Sequence, residues 1–306
     1  MAGRVQREAD GRCGSLPDVM PMKNITKKRA VLLAVCIALV LLIVWTVWGN
    51  SALEVNTYSI VSNRLPNSFS GFRIAQVSDL HNAQMGDGNE KLLAMLRESE
   101  PDIIVITGDL VDSRSTDIGV ALRFAEDATK IAPSYYVTGN HEARIAEYED
   151  LKTGLESAGV VVLENQRIEL ERNGETIMLI GVDDPSFQTD YLMGDSATVM
   201  SDALNRLVGN DAYTILLSHR PELFVTYVAS GVDLVFSGHA HGGQFRLPFI
   251  GGLAAPNQGL FPKYDSGLYT QGNTNMLVSR GIGNSIVPIR FNNRPEIIVV
   301  ELLTEE

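Results

Sequence analysis

Five histidines occur in the 306-residue chain, and each stands at the end of an apolar run that reads as a strand. The stretch at 72–81, FRIAQVSDLH, carries Ile74, Ala75 and Val77 and then breaks into Ser78, Asp79 and His81, as a buried strand does where it emerges at a sheet edge. Asp79 and His81 are two positions apart, so in extended backbone they point the same way and can grip one ion together. The same ending recurs at Asp109, at Asn140 and His141, at His219, and at His239 and His241. In an open parallel sheet such carboxyl ends share one rim, where ligands bind. Asp79, His81, Asp109, Asn140, His141, His219, His239 and His241 are more polar groups than one ion needs and suit two. Carboxylate, imidazole and amide donors without a thiolate fit Mn, Fe or Zn better than a calcium cage.

The elements that must carry these residues alternate. A strand ending before His81 is followed by a helix over 89–98, a β-branched run at 103–106, a helix near 118–130, a strand at 134–137 and an acidic helix over about 143–158. Alternation of this kind predicts a parallel sheet covered by helices. The middle differs: strands at 160–163, 167–171 and 176–182 are separated only by short turns, which favours antiparallel hairpins and a second sheet or a mixed edge. After a helix at 197–208 and strands at 213–218 and 234–236, residues 242–275 are rich in Gly and Pro and read as a long loop. Strands at 276–279 and 297–303 close the chain.

Asp79-x-His81, Gly108-Asp109, Gly139-Asn140-His141, His219 and Gly238-His239-Ala240-His241 resemble, in order, the five blocks of the calcineurin-like metallophosphoesterases, over about 72–241. The tail, with His241-Gly242-Gly243-Gln244, Arg246-Leu247-Pro248, Arg280-Gly281 and Arg294-Pro295-Glu296, resembles that of membrane-associated bacterial phosphodiesterases of the family. The resemblance implies an α/β fold of the αββα type, two packed mixed sheets flanked by helices. It implies that Asp79, His81 and His241 hold one metal and that Asp109 bridges to a second, which Asn140, His219 and His239 hold. Such a pair of ions holds a hydroxide for attack on phosphorus. His141 is then the residue that stabilises the charged transition state and protonates the leaving oxygen. Arg280 is a further candidate, as a bidentate phosphate donor, and Gln244 as part of the site wall, whereas Arg290 and Arg294 read as structural. Gly108, Gly139 and Gly238 precede ligands where the backbone must turn and leave room.

Composition sets the context. The net charge is −12, and beyond residue 48 there are 18 basic residues against 34 acidic ones, which argues against a large nucleic-acid footprint. Both cysteines, Cys13 and Cys36, precede residue 49, so the main domain has no disulfide or thiolate site of its own. Residues 30–48 carry no charge and match the ~20 residues that span a bilayer. Lys27, Lys28 and Arg29 precede this run and no Lys or Arg follows until Arg64, which places the N-terminus in the cytoplasm and the catalytic part outside. A cleaved signal is the alternative, but the run is longer than the usual ~7–15 residues and Asn50-Ser51-Ala52 is a poor cleavage site.

The expected organisation is therefore a cytoplasmic tail at 1–29, a single membrane-spanning anchor at 30–48, a linker with one strand at 49–71 and a metallophosphoesterase domain at 72–306. The expected activity is dinuclear-metal-dependent hydrolysis of a phosphoric ester or pyrophosphate at the cell envelope, on a small-molecule or lipid-linked substrate. A UDP-2,3-diacylglucosamine-type pyrophosphohydrolase, a nuclease and an inactive metal-stabilised scaffold are the alternatives; the acidic surface disfavours the nuclease, and the full set of ligand positions disfavours the scaffold.

Overall fold

The computed structural model describes residues 27–188, 195–209, 212–284 and 287–305; most of the tail expected at 1–29 lies outside them. Two compact units are present, Met1–Ile43 and Val44–Glu306. Helix α1, Lys27–Ser51, has a mean hydropathy of 3.1 in its most apolar window, long and apolar enough to cross a membrane, a test that a signal sequence also passes. The helix runs three residues further at each end than the expected span, because polar Lys27–Arg29 and Gly49–Ser51 continue its backbone.

In chain order the remaining elements are β1 (Glu54–Ser62), β2 (Phe72–Val77), α2 (Glu90–Glu98), β3 (Ile103–Thr107), α3 (Ile118–Ala128), β4 (Ser134–Val137), α4 (Tyr148–Ser157), β5 (Val161–Val162), β6 (Gln166–Arg172) and β7 (Glu175–Gly181). They continue as α5 (Ser196–Leu207), β8 (Thr214–Leu217), α6 (Phe224–Ala229), β9 (Leu234–Ser237), β10 (Arg246–Leu247), β11 (Gly251–Gly252), β12 (Ala254–Ala255), β13 (Gly259–Leu260), β14 (Gly267–Gln271), β15 (Thr274–Val278) and β16 (Glu296–Thr304).

Two six-stranded mixed sheets form, in the orders β1-β16-β2-β3-β4-β5 and β14-β15-β9-β8-β7-β6. The period-two alternation of side chains explains why they stack. In β3, Ile103 and Val105 point into an apolar layer shared with Leu179, Ile215, Leu217, Leu234 and Phe236 of the other sheet. Their neighbours Ile104 and Ile106 point the other way, onto Leu92 and Leu96 of α2, Phe124 of α3 and Leu151 of α4. The second sheet repeats this: Leu216, Val235 and Met276 face Met200 and Leu204 of α5 and Phe224 of α6. A strand buried on both faces must be apolar throughout, which is why β3, β4, β8 and β9 show no polar alternation. The result is an αββα sandwich, two packed mixed sheets flanked by helices.

The one strand expected within 49–71 is β1, which pairs in parallel with β16 over nine residues, Glu54 with Glu296 through Ser62 with Thr304, as the edge of the first sheet. Two local expectations are corrected. Residues 242–275 are not one loop: β10–β11 and β12–β13 form two short hairpins and β14 joins the second sheet. The acidic helix begins at Tyr148, since Glu142–Arg144 form a separate short turn of 3-10 type. There the Glu142 side chain is turned inward and buried.

Candidate dinuclear metal centre

Each chemistry-bearing residue lies just past a strand, and the strands come from both sheets. Asp79 and His81 follow β2, Asp109 follows β3, Asn140 and His141 follow β4, His219 follows β8, and His239 and His241 follow β9. The sandwich therefore brings the carboxyl ends of both sheets to one rim, rather than the single sheet whose edge the alternation suggested. All eight side chains are buried.

Two clusters share Asp109, and a third sets His81, Asp112 and His141 together. Asp79, His81, Asp109 and His241 place one ligand atom each within 4.8 Å of one another, and so do Asp109, His219 and His239. Asp109 belongs to both: its Oδ2 lies 3.5 Å from His81 Nε2 and 3.2 Å from His219 Nε2. In the first cluster His241 Nε2 stands 3.2 Å from Asp79 Oδ1 and 3.2 Å from His81 Nε2.

The surrounding hydrogen bonds fix which atoms remain free. His219 Nδ1 lies 2.7 Å from the Thr107 carbonyl oxygen, so Nδ1 donates to it and Nε2 faces Asp109 in the cluster. Asn257 Oδ1 lies 3.0 Å from His239 Nε2 and accepts from Arg220 Nη1 at 3.1 Å, and Arg220 Nη1 itself lies 3.3 Å from that ring nitrogen. His219 Nε2 and Asn140 Oδ1 are buried without a hydrogen-bond partner. Buried polar atoms left in this way are costly unless something else satisfies them. Unsatisfied nitrogen and oxygen donors facing shared carboxylates are what metal cations require, and the donor set fits a pair of them.

The backbone pays for this convergence. Asp79, His81, Asp109, His239 and His241 all have φ between 45° and 65°, a left-handed conformation that costs a residue with a Cβ about 1–2 kcal/mol. Two glycines let the turns close. A Cβ on Gly139 would lie 2.3 Å from Asp109 Oδ1, and one on Gly238 would lie 2.0 Å from Ser78 Oγ and 2.4 Å from Asp79 Oδ2.

Charge is distributed accordingly. Burial pushes the Asp79 and Asp109 carboxyls up, but His241 and His81 around the first and His219 and His81 around the second outweigh it and hold both ionised. Against the opposite effect of burial, Asp109 lifts His219 to about 10. Burial keeps His241 at about 3, and burial reinforced by the Arg220 cation keeps His239 well below the usual imidazole range. Two neutral rings and two anionic carboxylates thus face the same space.

His141 stands apart from the clusters' shared atoms. The Ser113 backbone N–H donates to its Nδ1 at 3.0 Å, which leaves the ring proton on Nε2, and its ring lies edge-on to His81 with centroids 4.5 Å apart. The sequence reading missed four supports. Glu142 accepts from the backbone N–H groups of Asp109, Gly139 and Val111 at 2.9, 2.7 and 3.3 Å, tying together two ligand-bearing turns. Arg220, paired with Asp184, and Asn257 orient His239. The position of Glu142 directly after Asn140-His141 and of Arg220 directly after His219 was the available signal.

Two candidates are engaged elsewhere. The Arg280 guanidinium, expected at the phosphate, is paired with Glu54 and lies 2.8 Å from Glu296 Oε2, because the β1–β16 pairing sets both carboxylates beside it. The Gln244 amide donates to the carbonyls of Val287 and Ile289 at 2.7 and 2.9 Å. Arg290 is fully buried and donates to the carbonyls of Arg280 and Gly283, while Arg294 caps the carbonyls of Ala52 and Leu53.

The family model for calcineurin-like phosphoesterases matches residues 72–243. The chain belongs to the calcineurin-like metallophosphoesterase family, and it retains an intact set of dimetal-site residues. It is 31% identical to the uncharacterized metallophosphoesterase YkuE of Bacillus subtilis, over 82% of this chain and 85% of that protein. It is 31% identical to a zebrafish (Danio rerio) transmembrane protein with a metallophosphoesterase domain, over 90% of this chain and 63% of that protein. It is 27% identical to phosphodiesterase YaeI of Escherichia coli, over 82% of this chain and 90% of that protein.

Proposed function

We propose that the protein is a phosphodiesterase whose two metal ions share Asp109, acting at the membrane surface to which its N-terminal helix anchors it. The observation that carries this reading is the position of Asp109 Oδ2, within 3.5 Å of a ring nitrogen in each cluster. In this assignment Asp79, His81 and His241 hold one ion, Asn140, His219 and His239 the other, and Asp109 both. Mn, Fe and Zn all suit these donors. A pair of such ions, when bound, neutralises charge on the phosphoryl oxygens and lowers the pKa of water.

The chain's own groups supply the rest. His141 donates from Nε2 to the phosphoryl or leaving oxygen, its ring held by Ser113. Water adds to phosphorus, the P–O bond to the alcohol breaks, and a proton reaches the departing oxygen. Glu142 keeps the turns at Asp109 and Asn140 in register through three backbone N–H groups. Lys27, Lys28 and Arg29 at the start of α1 and the uncharged span after them support an anchor with the catalytic domain outside the cytoplasm, and the zebrafish relative is likewise a transmembrane protein with a metallophosphoesterase domain. The likeness to the Escherichia coli phosphodiesterase favours a diester.

The test is hydrolysis of bis-p-nitrophenyl phosphate by the full chain in nanodiscs. Turnover that requires added Mn and is abolished by EDTA is expected. Bound metal without turnover would favour the scaffold reading instead.

A further inference from the structure

A cavity of about 470 Å³ opens beside the metal centre, in the ~300–1,000 Å³ range of small-molecule sites. Phe245, Leu253, Ala255, Pro256 and Val287 supply apolar wall, and His241, a residue of the first cluster, forms one end. Among the described residues His241 is the one ionisable side chain in the lining, and the amide of Gln244, also in the wall, is spent on two backbone carbonyls. Such a wall has no array of side-chain donors to read a base or a sugar. It suits hydrocarbon.

The rim carries the same character outward. Phe249 is fully exposed in the turn between β10 and β11, Ile250 is exposed next to it, and Leu260 and Phe261 are exposed at the β12–β13 hairpin. Phe249 and Phe261 have φ of 67° and 56°, unusual for bulky side chains and here not offset by burial. Phe261 is tied to the cavity wall through its N–H bond to Leu253 O at 2.8 Å. On the other side, Val287 is three residues from Arg290, whose backbone N–H and C=O both bond the Asn50 amide side chain at 2.7 Å. Asn50 lies in the last turn of α1, so the cavity wall stands within ~10 Å of contour from the end of the apolar helix.

Building on the phosphodiesterase reading, we infer that this cavity is the subsite for a long hydrocarbon chain of the substrate, a phosphodiester amphiphile drawn from the bilayer, with its phosphate at the metal centre and its chain between the two hairpins. The apolar rim passes the chain inward.

The test uses the full chain in nanodiscs and a series of soluble alkyl p-nitrophenyl phosphodiesters, from methyl to octyl, with p-nitrophenolate as the leaving group. Burial of each added methylene should raise kcat/KM about three- to fourfold until the cavity is filled. Ala254→Trp and Val287→Trp, at exposed positions of the wall, should bring the octyl-to-methyl ratio of kcat/KM close to one. A flat series in the wild-type protein, with the methyl ester still hydrolysed, overturns the chain subsite and leaves the phosphodiesterase reading standing. Loss of all hydrolysis, methyl ester included, contradicts that reading and the subsite with it. An unchanged octyl-to-methyl ratio in both folded variants overturns the placement in this cavity.

Discussion

The Oδ2 atom of Asp109 lies 3.2 Å from Nε2 of His219, although the two residues come from different sheets. The same oxygen faces His81 at 3.5 Å, so one carboxylate joins two clusters that the chain assembles from four strand ends. The stacking of the sheets through residues such as Val105, Leu217 and Phe236 makes this possible. A change in that packing moves His219 relative to Asp109 before it touches any ligand directly.

Replacing His141 by Ala should lower kcat by roughly 10²–10⁴-fold, the usual contribution of a positioned proton donor. Metal content, measured by mass spectrometry of the purified protein, should stay at the wild-type level, since the His141 ring is held by Ser113 and not by the Asp109 clusters. Parallel loss of metal and rate would contradict this role.

Glu142→Ala should be costly to the fold. Three backbone N–H groups would lose their acceptor, and each buried donor left unpaired costs about 1–3 kcal/mol. A fall in Tm on the order of 10 °C is expected in thermal denaturation, with weaker metal binding because the Asp109 and Asn140 turns loosen together. Burial, reinforced by the nearby Asp109 carboxylate, raises this carboxyl to about 7; its backbone partners, rather than its charge, explain its place.

These two residues show how far the sequence could be read. The ligand-bearing strand ends were legible because an apolar run that stops at Asp or His leaves a one-dimensional mark, and so were the αββα class and the apolar helix. Glu142 was not: its place after Asn140-His141 marks it as near the site, but not that its charged side chain turns inward to collect N–H groups from two turns. The surroundings of Arg280 were hidden for the matching reason: its partners Glu54 and Glu296 are 242 residues apart in the chain and meet only through the β1–β16 pairing. The hairpins within 242–275 were hidden because two-residue strands have no periodicity to detect.

Arg290→Met should weaken metal binding from a distance. Arg290 holds the carbonyls of Arg280 and Gly283, and the segment between them lies against the Asp79 turn, with Ile282 N–H on Ser78 O at 3.0 Å and Gly283 N–H on Asp79 O at 2.7 Å. A ten- to hundredfold loss of metal affinity is expected, the scale seen when outer supports of ligands are removed. Unaltered affinity in calorimetric titrations would show that the Asp79 turn holds itself.

Asp183 provides a pH signature. Burial, with Glu164 nearby, raises its carboxyl to about 6 from an ordinary value of 3.8. The folded state therefore keeps this proton over a range where the unfolded chain has lost it. Its contribution to stability is full below about pH 4 and declines as pH rises through about 6. Asp183→Asn should remove that decline, so that Tm of variant and wild type diverges in the variant's favour between pH 4 and pH 7. A constant difference across this window would contradict the assignment.

The central claim is that Asp109 joins two metal ions, and electron paramagnetic resonance of the Mn-loaded full chain tests it most directly. The account predicts two Mn per chain with an exchange-coupled spectrum, and loss of that coupling in Asp109→Ala. One ion per chain, or two that are magnetically isolated in the wild-type protein, would contradict it.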